Sequence, residues 1–317
     1  MTRPRPRALV ALVAVAAALA AVGCGGSSGE ADSRPRFTAI DQGGEQWQAL
    51  QPTLDAGFDQ DATNPCVRGA KTCVPLVVGE MRRRLDVLAR QCSHLAPFAL
   101  MYLDVTAGVE QAQGRRERFH DLPYLAHLDA VFAGLYFRAF DAWRHGRERD
   151  VPAAWRLAFE AGERSVVSGI GDLMLGMNAH ISRDLPFALA ASGLQGTDGQ
   201  SALPDFDAVN ALLNRTAGPM IDEQARRFDP SVKTFTAPVL GISSLDLGAL
   251  LGIWRTEAYH NAEKLIAAPT PAARRRVAAE IEANAAQRAR LIGVATSYAV
   301  LGGSSIARDR FCTRQAA

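Results

Sequence analysis

Apolar residues recur at three- and four-residue steps through most of the chain after residue 75, and no sustained alternation of apolar and polar residues appears. Such steps place apolar side chains on one face of an α-helix, whereas a half-buried strand needs strict alternation. Residues 37–74 contain Pro, Gly, Asp and Gln without a clear period. The pattern therefore predicts an all-α fold, with a multi-helix bundle over 75–317 and an irregular N-terminal lead-in over 37–74.

Helix starts are marked by capping residues followed by proline. Asp121 and Asp184 each precede a Leu-Pro pair, and Thr270 precedes Pro271. Asp and Thr side chains accept hydrogen bonds from the free N–H groups of a first helical turn, where proline is also tolerated. Because Pro186 disfavours helical geometry at the residue before it, the sequence predicts a helix boundary here, with Asp184 available to cap the next helix.

The chain begins with the layout of an exported protein. Three arginines within the first seven residues precede an apolar run over 8–22, and this run leads into Cys24. The run has 15 residues, fewer than the roughly 20 needed to cross a bilayer as a helix, so it is interpreted as a signal peptide over 1–23. The sequence Ala21-Val-Gly-Cys24 resembles a lipobox, which predicts acylation of Cys24. The alternative is an ordinary secretory signal with Cys24 as a bystander.

The predicted location follows from this leader. Residues 24–36 are rich in Gly, Ser and charged residues and are interpreted as a flexible tether. A lipid on Cys24 would anchor the folded domain to the membrane, outside the cytoplasm. Of 35 basic residues the first 23 positions hold three, with no acidic residue among them, so 32 basic residues face 33 acidic ones in the mature chain. This balance argues against a nucleic-acid partner, and no particular protein partner is indicated.

Four cysteines follow Cys24: Cys66, Cys73, Cys92 and Cys312. An even number of cysteines in an exported chain predicts two disulfides. Cys66 and Cys73 flank a short loop, so their pairing is favoured, which leaves Cys92 to pair with Cys312. Thiolate coordination of a metal is the alternative, but no Cys-x-x-Cys spacing supports it.

A carboxylate falls on a helix face that should be buried. Leu125, Asp129, Phe132 and Tyr136 follow each other at steps of four, three and four residues. This spacing places all four side chains on one stripe, so Asp129 is predicted to point inward. A buried carboxylate is costly unless it is paired, hydrogen-bonded or coordinated, and Asp129 is therefore a candidate site residue.

A second candidate pair combines an imidazole with a carboxylate. Asp172, Gly176, His180 and Asp184 recur at every fourth residue. His180 and Asp184, four residues apart on a helix, can face one point, which is a spacing used by metal ligands and by acid–base pairs. In the alternative interpretation the pair is structural, since Asp184 can serve as a helix cap.

A third candidate lies further along the chain. Leu250, Trp254, Glu257 and Asn261 step by four, three and four residues, and Glu257-x-x-His260 has the carboxylate–imidazole spacing of helix-bundle di-iron sites. Such a site needs a second motif. The other match, Glu117-x-x-His120, lies in an arginine-rich stretch without an apolar stripe and is interpreted as a solvated face.

Several segments together resemble an uncharacterised bacterial family, number 5995 among the domains of unknown function. The main one is Met177-Asn-Ala-His180-Ile running into Asp184-Leu-Pro. Further matching segments are Tyr102-Leu103-Asp104-Val105-Thr106, Leu128-Asp129, Asp205-Phe206 with Val209-Asn210, and Trp254 to Glu257. The resemblance covers most of residues 92–265 and departs from the pattern at Ser182, where asparagine is usual. It implies an all-helical domain and carries no activity, substrate or cofactor.

Three functions remain open from the sequence. The first is an anchored domain that binds a ligand or a partner, since no catalytic motif is complete. The second is a metal-dependent hydrolase with His180, Asp184, Asp129 and Glu257 as catalytic candidates. Its divalent metal would be held by residues from His180, Asp184, Glu257 and His260. The third is a structural lipoprotein in which the inward polar residues only brace the helices.

Overall fold

The apolar spacing produces helices over most of the residues that the computed structural model describes, which are 57–113, 119–234 and 247–316. The α-helices are α1 (Cys73–Arg90), α2 (Ala96–Gln113), α3 (Leu122–Arg144), α4 (Ala153–Glu163), α5 (Gly169–Met177), α6 (Leu185–Ser192), α7 (Leu203–Arg227), α8 (Leu247–Ala267), α9 (Pro271–Ala295), α10 (Tyr298–Leu301) and α11 (Ser305–Ala316). No strand occurs in these ranges. The predicted all-α class is therefore confirmed. The signal peptide, Cys24 and the tether lie outside the described residues.

Both predicted disulfides form. Cys66 and Cys73 are joined with their Cα atoms 5.1 Å apart, which clips the irregular segment before α1 onto the first residue of that helix. Cys92 and Cys312 are joined with a Cα separation of 5.8 Å. This second bond ties α11, at the end of the chain, to the turn after α1.

Helix α3 is the centre of the core. Its sequence is apolar on nearly every side, and it packs between α1 and α6. Phe137 and Phe140 on α3 are almost wholly buried, and burial of each such side chain contributes roughly 2 kcal/mol. Asp121 caps this helix as predicted, because its side chain accepts a hydrogen bond of 2.9 Å from the Tyr124 N–H.

Arg84 joins α1 to α3 by charge. Its guanidinium donates to Asp141 on α3 through two nitrogens, at 2.6 and 2.9 Å, and to Glu80 on its own helix at 2.6 Å. It also lies over the Phe137 ring, with 4.5 Å between the guanidinium carbon and the ring centroid. The buried cation is thus fully partnered, so this cluster serves the packing of the two helices.

The predicted helix boundary before Pro186 is wrong. Helix α5 continues through a π-helical turn, Asn178–Asp184, directly into α6, and Leu185 has helical backbone angles (φ −58°, ψ −41°). Pro186 lacks an N–H and would crowd the carbonyl four residues earlier in a regular helix. The π turn pairs residues five apart, as in the bond from the Leu185 N–H to the His180 carbonyl, and so passes the proline without a break. The Asp184 side chain makes no cap.

Within the described ranges, no helix has the length and apolar character needed to cross a membrane.

Candidate functional site

The π-helical turn presents His180 and Asp184 to each other, as their spacing predicts. His180 Nδ1 lies 3.1 Å from Asp184 Oδ2, and the Trp155 indole N–H of α4 donates to the same oxygen at 2.7 Å. Arg183 donates to the other oxygen, Oδ1, at 2.9 Å. Asp184 is therefore a buried carboxylate whose two oxygens accept three hydrogen bonds.

Aromatic rings enclose the His180 imidazole. It stacks on Phe132 with 3.5 Å between ring centroids and 7° between the planes, and the Tyr102 ring meets it edge-on at 4.3 Å. Burial lowers the pKa of His180, against the opposing effect of Asp184, so the ring is neutral near pH 7. Because a carboxylate only accepts, Nδ1 carries the proton, and the buried Nε2 has no hydrogen-bond partner in the part of the chain that the structure describes.

A cavity of about 70 Å³ lies on the other side of these aromatic rings, between α2, α3 and α7. Its walls are mainly apolar and include Val105, Val109, Leu125, Leu128 and Val209. Tyr102 and Phe132 belong to the wall, so they separate the cavity from His180. His180 is therefore buried among packed rings and does not line the cavity.

Among the described residues, three buried polar atoms of the cavity wall have no hydrogen-bond partner: Tyr102 Oη, Thr106 Oγ1 and Asp129 Oδ2. Tyr102 and Thr106 are four residues apart on α2 and so share a face. Asp129 extends from α3 with its Oδ2 atom buried, while the residue as a whole is half-buried. Each of these atoms is removed from water without a compensating bond, which costs roughly 1–3 kcal/mol per group.

The electrostatics of this group are set by burial. Burial raises the pKa of the Asp129 carboxyl to about 7. Burial also raises the pKa of the Tyr102 phenol well above its usual range, and the carboxylates of Asp129 and Asp184 add to this effect. The charges of Asp129 and Asp184 therefore both act on the Tyr102 hydroxyl. Tyr102 lies between the cavity and the pair formed by His180 and Asp184.

Arg255 of α8 brings a positive charge to the cavity wall. Its Nε donates to Asn210 Oδ1 at 2.6 Å and its Nη2 to the Phe206 carbonyl at 2.8 Å. The guanidinium carbon lies 4.1 Å from the centroid of the Phe206 ring. Burial lowers the pKa of Arg255 to about 10, so it remains charged near neutral pH.

Comparison with known proteins places the domain in a family. The model of a family of unknown function (DUF5995) matches residues 74–294. The chain belongs to this family. No curated protein and no solved structure matches it. All cavity residues and the His180 pair fall inside the part of the chain that the DUF5995 model covers.

Glu257 and His260 of this DUF5995 chain lie apart from the cavity. The Glu257 side chain is 39 % exposed and accepts a hydrogen bond of 2.7 Å from Arg288. The His260 side chain is 64 % exposed and lies 2.9 Å from Glu263. The apolar stripe predicted through Glu257 and Asn261 is only partly buried. Its member Trp254 is buried, but the most buried face of α8 also runs through residues that the stripe leaves out: Leu251, Ala258 and Ala262.

The described part of the DUF5995 domain contains no group of three or more His, Cys, Asp or Glu side chains that could hold a metal ion. His180 and Asp184 meet each other, whereas Glu257 and His260 are engaged with other residues. Glu117, the acidic residue of the second spacing match, lies outside the described residues.

Sequence reasoning missed a further buried cluster in the DUF5995 domain. His94, just after α1, lies 2.7 Å from Asp172 of α5 and 3.2 Å from Asp309 of α11. Burial raises the pKa of Asp172 to about 6, against the opposing effect of His94. Arg308 donates to the carbonyl of Cys92. This cluster therefore fastens the C-terminal helix beside the long-range disulfide.

Reasoning from the sequence also missed three cavity residues: Tyr102, Thr106 and Arg255. The first two carried a weak signal, because polar groups four residues apart on an apolar helix share one buried face. Arg255 carried none, since an arginine is usually exposed and nothing in the sequence around it marks it as buried.

Proposed function

We propose that this protein is an extracytoplasmic lipoprotein, anchored through Cys24, whose helical domain binds a small, mainly apolar ligand in the cavity. The observation that carries the binding proposal is the set of unpartnered atoms: Tyr102 Oη, Thr106 Oγ1 and Asp129 Oδ2. Ligand pockets are typically apolar with a few placed polar groups. A ligand that bonds these atoms would recover the free energy lost by burying them.

Binding fits the geometry better than hydrolysis does. A hydrolase needs a base that can reach the substrate, and His180 is separated from the cavity by the rings of Tyr102 and Phe132. Asp184 holds the indole of Trp155 as well as the imidazole. These partners make the His180 pair a support of the cavity wall.

Two observations support the proposed location outside the cytoplasm. The apolar run 8–22 and Cys24 have the layout of an exported, acylated leader. The disulfides Cys66–Cys73 and Cys92–Cys312 use all the cysteines that follow Cys24. Structural disulfides persist in oxidising compartments and are rare in the cytosol.

The binding proposal is tested with phenol, which offers one apolar ring and one hydroxyl. The protein is purified in the form that cells produce, placed in phosphatidylcholine nanodiscs, and examined by saturation-transfer NMR. Val209 lines the cavity, so Val209→Phe should fill it and abolish the signal. Val300→Phe makes the same change at a valine that is 45 % exposed, and it should leave the signal intact.

Thermal melting of both variants checks that they are folded. Equal phenol signals from Val209→Phe and Val300→Phe would show that the molecule binds elsewhere, and absence of a signal from the unmodified protein would also contradict the proposal. Thr106→Val should weaken binding, because it removes one unpartnered hydroxyl. Thr216→Val is its matched control, since the Thr216 hydroxyl bonds its own helix at the Leu212 carbonyl.

A further inference from the structure

The cavity contains two side chains of opposite charge, Asp129 and Arg255. Asp129 lies on α3 and Arg255 on α8. In the described ranges neither forms an ion pair with a residue of opposite charge. Arg255 is buried, and Asp129 is half-buried with its Oδ2 atom shielded from water. A charge shielded from water without a partner is costly, so the two together indicate a ligand that carries the missing charges.

Asp129 offers a negative charge at one side of the cavity. Its Oδ2 is buried and makes no hydrogen bond, and the nearby hydroxyls of Tyr102 and Thr106 are also without partners. Burial raises the pKa of Asp129 to about 7. In the described ranges no Arg255 nitrogen lies within the 4.0 Å ion-pair distance of an Asp129 oxygen, so the two groups do not neutralise each other by direct contact.

Arg255 offers a positive charge from another wall. Its Nε and Nη2 hold Asn210 and the Phe206 carbonyl of α7, which fixes the guanidinium in place. Within the described residues Nη1 has no hydrogen-bond partner. After desolvation, Asp207 has the next effect on the pKa of Arg255, and it acts through space without forming an ion pair.

Apolar side chains, among them Val105, Leu128 and Val209, make up most of the remaining wall. A ligand with one charge would leave the opposite protein charge unpaired. A zwitterion whose charges are separated by an apolar chain can place one charge at each group and its chain against the apolar wall. The matching molecule carries a cation at one end, an anion at the other and an apolar chain between them.

We infer that the cavity binds a small zwitterion of the ω-amino acid class, with its ammonium at Asp129, Tyr102 and Thr106 and its carboxylate at Arg255. This inference rests on the proposed function, because it assigns a ligand class to the same cavity. An ammonium group donates three hydrogen bonds, which matches three oxygen acceptors. A carboxylate accepts from a guanidinium and pairs with its charge.

Isothermal titration calorimetry on the same nanodisc preparation tests the ligand class at pH 8, where Asp129 is ionised. The probes are 4-aminobutanoate, 5-aminopentanoate and 6-aminohexanoate, each compared with the primary amine and the carboxylate of equal chain length. The best ω-amino acid should bind at least tenfold more tightly than both of its singly charged counterparts. Equal affinities within all three sets would overturn the inference.

Variants locate the two ends of the ligand. Asp129→Asn should lower the affinity for the best ω-amino acid at least tenfold and leave the affinity for the matching carboxylate unchanged. Asp150→Asn removes an exposed carboxylate of the turn Glu148–Asp150 and should change neither affinity. Arg255→Gln should weaken binding of the carboxylate and leave the amine unchanged. If Arg255→Gln unfolds, the comparison of ω-amino acids with amines and carboxylates on the unmodified protein still tests the inference.

The outcomes separate the two proposals. If phenol binding depends on Val209 but the ω-amino acids have no advantage over amines and carboxylates, the cavity binds ligands of another class and only this inference fails. If phenol binds Val209→Phe as well as it binds Val300→Phe, the proposed function fails. Equal effects of Asp129→Asn and Asp150→Asn on ω-amino acid affinity would contradict the assigned orientation.

Discussion

Replacing Asp129 with asparagine should make the protein more stable at neutral and alkaline pH. The amide has nearly the shape of the carboxyl and removes the charge that burial disfavours. Asp129 Oδ2 makes no hydrogen bond, so the substitution breaks none at that atom. The gain in unfolding free energy should therefore equal the free energy that the wild-type protein loses by burying the Asp129 charge.

The magnitude follows from the pKa of Asp129, which burial raises from 3.8 to about 7. Between these values the folded protein keeps a proton that the unfolded chain releases, so wild-type stability falls as the pH rises through this window. Each pKa unit corresponds to about 1.4 kcal/mol, which gives a loss of roughly 4 kcal/mol above pH 7. Asparagine does not ionise, so the stability of Asp129→Asn does not fall in this window.

Urea unfolding followed by circular dichroism at pH 5, 6, 7 and 8 measures the effect. The advantage of Asp129→Asn over the wild type should grow by roughly 2–3 kcal/mol from pH 5 to pH 8. Asp150→Asn, at an exposed position, controls for the change in net charge. A constant difference across this range, or a variant less stable than the wild type at pH 8, would refute the reasoning.

Three further predictions concern the core, the disulfides and the leader. Asp184→Ala should cost about 3–5 kcal/mol of unfolding free energy, because it strips a buried network. Trp155→Phe should cost about 2 kcal/mol, for one hydrogen bond and for the smaller ring at a fully buried position; a larger loss from Trp155→Phe than from Asp184→Ala would contradict the assigned role of Asp184. Replacing Cys92 and Cys312 together by serine opens a loop of 220 residues and should lower the free energy of unfolding by about 5 kcal/mol. Replacing Cys66 and Cys73, which are seven residues apart, should lower it by about 2 kcal/mol. Cys24→Ser should release the protein into the medium or block processing of its leader, and unchanged membrane retention in cell fractionation with normal processing would contradict acylation.

Local spacing was sufficient to predict α3 and its inward carboxylate. The cap at Asp121 and the four-residue steps through Leu125 and Asp129 depend on one helix alone. A helix of 3.6 residues per turn fixes which side chains share a face, so no knowledge of the neighbouring helices was needed. The same rule predicted that His180 and Asp184 would meet.

Spacing failed on α8 because two faces of that helix are apolar. Leu250 and Glu257 lie on one stripe, while Leu251 and Ala258 define another, rotated by about one residue, and Trp254 is buried beside the second stripe. The packed neighbours select the second face, and only the folded structure contains them. This rotation buries Arg255, against the usual preference of arginine for water, and leaves Glu257 half exposed.

Contacts between distant parts of the chain were also beyond sequence reasoning. His94 meets Asp172 across 78 residues and Asp309 across 215 residues. Nothing near His94 in the sequence specifies either partner. The pairing Cys92–Cys312 could be predicted because only four cysteines follow Cys24, whereas a histidine has many carboxylates to choose from.

The packing around His180 explains how the site and the fold depend on each other. Asp184 fixes the imidazole through Nδ1, and the imidazole supports the flat face of Phe132 and the edge of Tyr102. These two rings form the wall that presents the Tyr102 hydroxyl beside Asp129. A neutral imidazole suits this position, because a charged ring stacked on Phe132 would need a second acceptor at Nε2, and the described residues provide none there. The histidine therefore contributes to the cavity by holding its wall, and the polar groups inside the cavity are the ones that would meet a ligand.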